Sequence, residues 1–375
     1  MKLKSALIIL AVIGQLILYS TSAQAHPATG IVVDSAGNIY FSDLETIWKF
    51  STEGKLTVFR AGQSGRHVHE LSIDQLDNVY GADVSYNPAK KGWPTNVWKM
   101  TPEGKFAYLL ATTEHPPSGW SIWRDQAGNM YSVDQNNHTK RETLLLRRTP
   151  DGTVGTFAGS AYGHADGKGA LAKFSSVGGM AFGPDGSLYL TDGATIRKVT
   201  FDGSVTTVAK DLTFRTSADK PRLFADSGGL TGLTIDAGGN VYAADAGNRR
   251  LIKVKSTGEV EIILRTEPPY FPNGVAASGG NLYVLEVGFT LFGAWSGPRV
   301  RKIGPDGRSS ILTTVGAQGS EGNWRSAFAT EAGVATESAL AFLYNDGRMK
   351  YSIGLFLGSL LTFLTVFWRR RRRNA

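Results

Sequence analysis

The segment "GLTIDAGGNVYAADAGNRRLIKV" (232–254) has two short apolar runs, a Gly-Gly-Asn turn between them, and an Asp closing the second run. Five other segments share this plan: 30–50, 70–87, 121–138, 179–199 and 273–290. Each copy continues into a second hairpin, built on "STEGK", "TPEGK", "TPDGT", "TFDGS", "KSTGE" or "GPDGR". A period of about 40 to 58 residues without a helical apolar rhythm excludes helical solenoids. The turns supply the positive-φ residues that tight hairpins need. The Val, Ile, Tyr, Phe and Leu runs between them read as strands. Runs such as "NVYAAD" and "SLYLTD" are apolar on both faces, as strands between stacked sheets must be. Four strands per copy and six copies predict an all-β fold, a six-bladed β-propeller.

The two ends stand apart from this plan. Lys2 and Lys4 precede an apolar run from Ala6 to Leu18, and Ala23 and Ala25 supply a small-x-small cleavage pattern. Residues 1–25 are therefore expected to be a signal peptide, with the mature chain starting at His26. Tyr351 to Trp368 holds no charge and is followed by five arginines, Arg369 to Arg373. As a helix that run would measure about 27 Å, near the thickness of a bilayer core. Flanking arginines stay on the cytoplasmic side. The expectation is a transmembrane helix over 351–368 and an Arg-rich cytoplasmic tail over 369–375. The propeller, 26–318, would then lie outside, with 319–350 as a membrane-proximal spacer. Gly354 and Gly358 have the spacing that permits close helix pairing.

The net charge of +8 belongs to these ends. Residues 26–350 carry 33 basic and 32 acidic side chains. A balanced surface argues against nucleic acid as a partner. The chain has no cysteine, so the body has neither disulfides nor thiol chemistry. About 300 residues bury a sufficient core without them.

Within the repeats, "GHADGKGALAKFSSVGGMAFGPDGSLYLTDGATIRKV" (163–199) and "FADSGGLTGLTIDAGGNVYAADAGNRRLIKV" (224–254) resemble NHL repeats. "FPNGVAASGGNLYVLE" (271–286) is similar to a blade of the SMP-30/gluconolactonase and strictosidine-synthase-like propellers. The resemblance covers roughly residues 28–318. It implies a six-bladed propeller and says little about activity, because propellers host many functions.

In a propeller the first strands begin, and the second strands end, on the face where ligands meet the channel. The first-strand starts here are Thr29, His69, Trp120, Gly178, Thr231 and Asn273, with Glu70 beside His69. In the SMP-30-like lactonases a Glu, two Asn and an Asp at such places hold a divalent cation such as Ca²⁺. This sequence matches that set only at Asn273, while hard cations want several protein oxygens. The second strands end in Asp43, Asp83, Asp134, Asp192, Asp245 and Glu286. The five aspartates read as acceptors for backbone N–H groups of the following turns. Glu286 is set apart, since a Glu caps such turns poorly. The strictosidine-synthase-like resemblance implies a functional acid in its place, so Glu286 is the candidate catalytic residue and, with Asn273, a candidate metal ligand.

His67 and His69 would share one face of an extended segment, but only His69 fits the histidine pattern of the zinc-dependent NHL-type lyase, so that reading is rejected. No nucleophile-elbow motif and no phosphate loop occur. Long loops carry Trp93, Trp120, Phe289, Phe292 and Trp295, side chains suited to a ligand or partner surface. The candidate ligand-binding set is thus Asn273, His69, Glu70, Trp120, Asp134, Trp93 and Trp295. The expected function is a membrane-anchored binding module for a small molecule or a protein. The alternative is a hydrolase or lyase of the SMP-30 or strictosidine-synthase-like type, acting at the central channel.

Overall fold

Twenty-four strands alternate with tight turns in six consecutive sheets of four, each antiparallel and paired in sequence order. The computed structural model describes residues 29–85, 95–111, 123–134, 141–216, 229–289 and 295–316. The first strands are Ile31–Val33, Leu71–Ile73, Trp123–Arg124, Val177–Phe182, Leu233–Ile235 and Tyr270–Ser278. They line one cavity together, which makes the molecule the six-bladed propeller expected from the repeats. One short additional strand, Gly167–Lys168, pairs with the outer strand Ser204–Ala209 of the fourth blade. The predicted signal peptide, spacer and transmembrane helix lie outside the described residues. Among the described residues no helix is long and apolar enough to cross a membrane.

The blades follow from their turns. At the junction of first and second strands, Asp34 accepts from the Asn38 amide at 2.7 Å, from Asn38 Nδ2 at 2.8 Å and from Tyr40 Oη at 3.0 Å. The same clamp recurs as Asp74–Asn78–Tyr80, Asp125–Asn129–Tyr131 and Asp236–Asn240–Tyr242. Gly239 sits in this turn with φ +77°, and Gly54 in the second hairpin with φ +82°, a region L side chains rarely enter. Burial, reinforced by the clamp carboxylate, pushes the Tyr80, Tyr131 and Tyr242 hydroxyls up to about 12. Burial also works to raise the Asp74 and Asp236 carboxyls. The donors around them outweigh it and hold both below the usual carboxylate range.

The second strands Leu188–Asp192 and Val241–Asp245 are buried at every position, as their two-sided apolar pattern required. The core is therefore a set of seams between blades rather than one centre. The last seam joins the first blade to the sixth through Ile31, Phe41, Ala276, Leu285 and Val300. Blade one runs from Ile31 to Arg60 and blade six from Tyr270 to Thr314. Among the described residues the ring thus closes by side-chain packing, with no strand shared between the chain ends.

Every blade also carries a β-bulge between its third and fourth strands, for example after Ile47, Val97, Ile196 and Val300. The extra residue lies on the fourth strand, as Leu109 in the second blade and Leu312 in the sixth.

Candidate functional site

The end of the propeller where first strands begin differs from the end closed by the tight turns. At this loop end second and fourth strands stop and first and third strands start; residues 86–94, 112–122, 135–140, 217–228 and 290–294 lie outside the described residues. Trp93 and Trp120 fall in them. Trp295 pairs by its backbone with Phe289, and its side chain is outside the described set.

The second-strand acids lie at the loop end and act as hubs. Asp43 accepts from the amides of Glu45 and Thr46 and from Trp48 Nε1 at 2.7 Å. Burial pushes its carboxyl up despite those donors. Asp83 accepts from Arg60 at 2.7 Å, Trp98 Nε1 at 3.0 Å and Tyr108 at 3.1 Å. Asp192 holds the Ser175 and Ser176 amides and pairs with Arg197 at 3.0 Å and His164 at 3.2 Å. Asp245 pairs with Arg250 at 2.8 Å. Trp98, Arg197 and Arg301 stand two positions beyond the register partners of Asp83, Asp192 and Glu286, so strand alternation puts them on the acids' face. The following-turn amides expected from the sequence are found at Asp43 and Asp245. At Asp83 and Asp192 the partners come from elsewhere. Asp134 is half-buried and faces Leu144 across the ladder.

Glu286 is also a hub. It is fully buried, accepts from Arg299 Nε at 2.5 Å, and is bonded by Arg301 as well. Glu286 is thus a hub like the aspartates, with two guanidiniums against its charge where Asp192 and Asp245 each have one. Asn273 lies beside it as the extra residue of a bulge between Pro272 and Gly274. Its carbonyl accepts from the Gly232 amide and Thr231 Oγ1, both at 2.9 Å. Asn273 and Glu286 do share one end of the channel, but the donor set does not fit a hard cation. Its one carboxylate is already ion-paired, and no cluster of three His, Asp or Glu exists among the described residues.

The channel itself holds a different group. Its cavity, about 30 Å³, is lined by Thr29, Glu70, Trp123, Gly179, Gly232 and Val275 among others, one or more from each blade. Aligning the blades puts Gly30, Glu70, Gly179, Gly232 and Gly274 at one level. The glycines are there because neighbouring backbones nearly touch. A Cβ on Gly179 would lie 2.6 Å from the Thr231 carbonyl oxygen, and one on Gly232 would lie 2.8 Å from that of Asn273. Glu70 is the one charged side chain among the described residues lining the cavity. Burial pushes its carboxyl up to about 7, against a smaller opposing pull from the Trp123 indole.

The segment before Glu70 is held from both sides. His67 exchanges two backbone bonds with Val84 at 2.8 Å, and the Val68 amide donates to the Leu44 carbonyl at 2.5 Å. Ser42 Oγ donates to the Val68 carbonyl at 2.6 Å, and the Thr29 and Gly30 amides both donate to that of His69. His67 and His69 meet edge to face, 5.8 Å between ring centres. His69 and Glu70 are thus brought together with Trp123 and Asn273 around the channel. Trp123 is missed by sequence reasoning, although the Gly30–Glu70–Gly179–Gly232–Gly274 column is legible once the repeats are aligned.

No protein-family profile matches the chain, and none of the curated proteins does. Solved structures do. A streptogramin B lyase is 17% identical over 76% of this chain and 83% of its own, with a TM-score of 0.47. Virginiamycin B lyase from Staphylococcus aureus is 17% identical over 79% and 86%, with a TM-score of 0.46. A gluconolactonase from Xanthomonas campestris is 13% identical over 69% and 83%, with a TM-score of 0.45. These likenesses concern architecture, and no activity follows from them. By fold the chain is a six-bladed β-propeller, similar in plan to lyase and gluconolactonase propellers.

Proposed function

We propose that the protein is an exported, membrane-anchored β-propeller that binds a ligand at the loop end of its channel, with Glu70 recognising the ligand's polar head. The observation that carries this reading is the placement of one ionisable side chain at a level that is glycine in four of the other five blades, with Ser121 in the fifth. The channel cavity, about 30 Å³, is far smaller than the ~300–1,000 Å³ of ordinary ligand pockets. Only a small head group would enter it, and the rest of the ligand would rest on the loop end.

Two experiments test the reading. The chain has no cysteine, so single cysteines report sidedness cleanly. In intact cells a membrane-impermeant maleimide is expected to label Ala36→Cys and not Asn374→Cys; labelling of the tail alone would refute the topology. A ligand library scored by thermal shift on the full chain in detergent is expected to yield compounds that stabilise the wild type and not Glu70→Ala. Compounds that stabilise both equally would refute the role of Glu70.

A second reading has one observation in its favour. A carboxyl that titrates near 7 can act as a general acid or base at neutral pH, as a hydrolase or lyase of the channel would require. Lactone hydrolysis with a rate that follows one ionisation near pH 7, lost in Glu70→Gln, would establish it.

A further inference from the structure

The blade seams differ at the channel. At Gly30, Gly179, Gly232 and Gly274 the backbone of the next blade leaves no room for a Cβ. Glu70 carries a full side chain at the same level, so the seam between blades two and three must stand wider there. Trp123, from blade three, fills the space beside it and lines the same cavity. On its other side Glu70 has little freedom, because Ser42, Leu44, Thr29 and Gly30 of blade one fix residues 68–69. Leu44 does so from a left-handed conformation, φ +89°, that a leucine rarely adopts.

We propose that Glu70 and Trp123 form a proton-operated latch across this seam. With the carboxyl ionised, it accepts from the Trp123 indole and holds the two blades together across the seam. With it protonated, that hydrogen bond weakens and the indole is released to another position. No metal or ligand is needed for either state.

Among the described residues that line the cavity, Glu70 is the one that titrates. Facing Glu70 are Thr29 and Ile31 of blade one, Trp123 of blade three, Met180 of blade four, Leu233 of blade five and Val275 of blade six, none of them ionisable. On its own element His69 adjoins it. Arg124 follows Trp123, and its guanidinium lies over the Tyr80 ring, 5.5 Å from the centroid. The burial that raises the Glu70 carboxyl to about 7 puts the changeover near neutral pH.

The latch rests on the same site as the proposed ligand binding but not on a ligand, so the two fail separately. The test is the ¹⁹F NMR spectrum of the full chain labelled with fluorotryptophan, followed from about pH 5 to about pH 9. The resonance that disappears in Trp123→Phe is expected to shift with a midpoint near pH 7. That shift should be absent in Glu70→Gln and retained in His69→Gln, which removes the neighbouring imidazole. A Trp123 resonance that does not titrate in the unaltered chain overturns the latch, without recourse to any Glu70 variant. So does a shift that persists in Glu70→Gln or vanishes in His69→Gln.

Discussion

The two ends of the propeller are built by different rules. At the turn end four blades use one clamp, Asp–Asn–Tyr, with donor distances between 2.7 and 3.0 Å. Its members lie within six residues of one another, so each copy is a local solution repeated. At the loop end Asp43, Asp192 and Asp245 share a partner five positions on, and beyond that the hubs differ. Asp83 recruits Arg60 and Tyr108, Asp192 recruits Ser175 and Arg197, and Glu286 recruits Arg299 and Arg301. Those partners stand up to 25 positions away. The repeat therefore preserves what makes a blade and leaves the loop end free to diverge, and divergence is where function is grafted onto a shared fold.

The largest effect should come from the loop end. Asp245→Ala strands the fully buried Arg250 guanidinium, and Asp83→Ala strands Arg60. Each is expected to cost about 3–5 kcal/mol in urea unfolding. A comparable loss is expected for Phe41→Ala, about 3–5 kcal/mol, because Phe41 is fully buried in the seam that closes the ring. A small loss there would mean that something besides packing holds the first blade to the last.

Glu70→Gln should act in the opposite direction. The folded carboxyl titrates near 7, above its ordinary 4.5, so the folded chain binds the proton more tightly than the unfolded one. Stability is then full below about pH 4.5 and falls as pH rises toward 7. The glutamine variant should match the wild type at pH 4.5. At pH 8 it should be more stable by ~1–2 kcal/mol, allowing for partial exposure. Melting curves at the two pH values decide it.

At the turn end, Tyr40→Phe and Tyr242→Phe should each cost about 1 kcal/mol, and equally, because each removes one hydrogen bond from the same clamp. Unequal losses would break the picture of interchangeable turns. The smallest effect should follow Glu261→Gln. Its ion pair with Lys255 is exposed, and exposed pairs contribute about 0–1 kcal/mol.

Much of this was legible in the residues. The turn glycines, the alternating runs and the two-sided apolar strands required blades, and their number was countable. The acids at the strand ends could be found but not interpreted. Glu286 looked exceptional because a glutamate caps a turn poorly, yet Arg299 and Arg301 lie opposite it and make it a hub. Arg301 reaches it because it shares a strand face with Arg299, the register partner of Glu286, and that register is set between strands. Glu70 was visible as a lone acid in a column of four glycines and Ser121. Its proton affinity was not, because burial in the channel sets it.

Strand, turn and blade number depend on interactions within a few residues, so the sequence by itself determined them. The closure of the ring by packing, the pairing of each acid and the charge state of Glu70 were decided only by tertiary structure. They arise where backbones from different blades approach within van der Waals distance and exclude water, and no local stretch of chain carries that information.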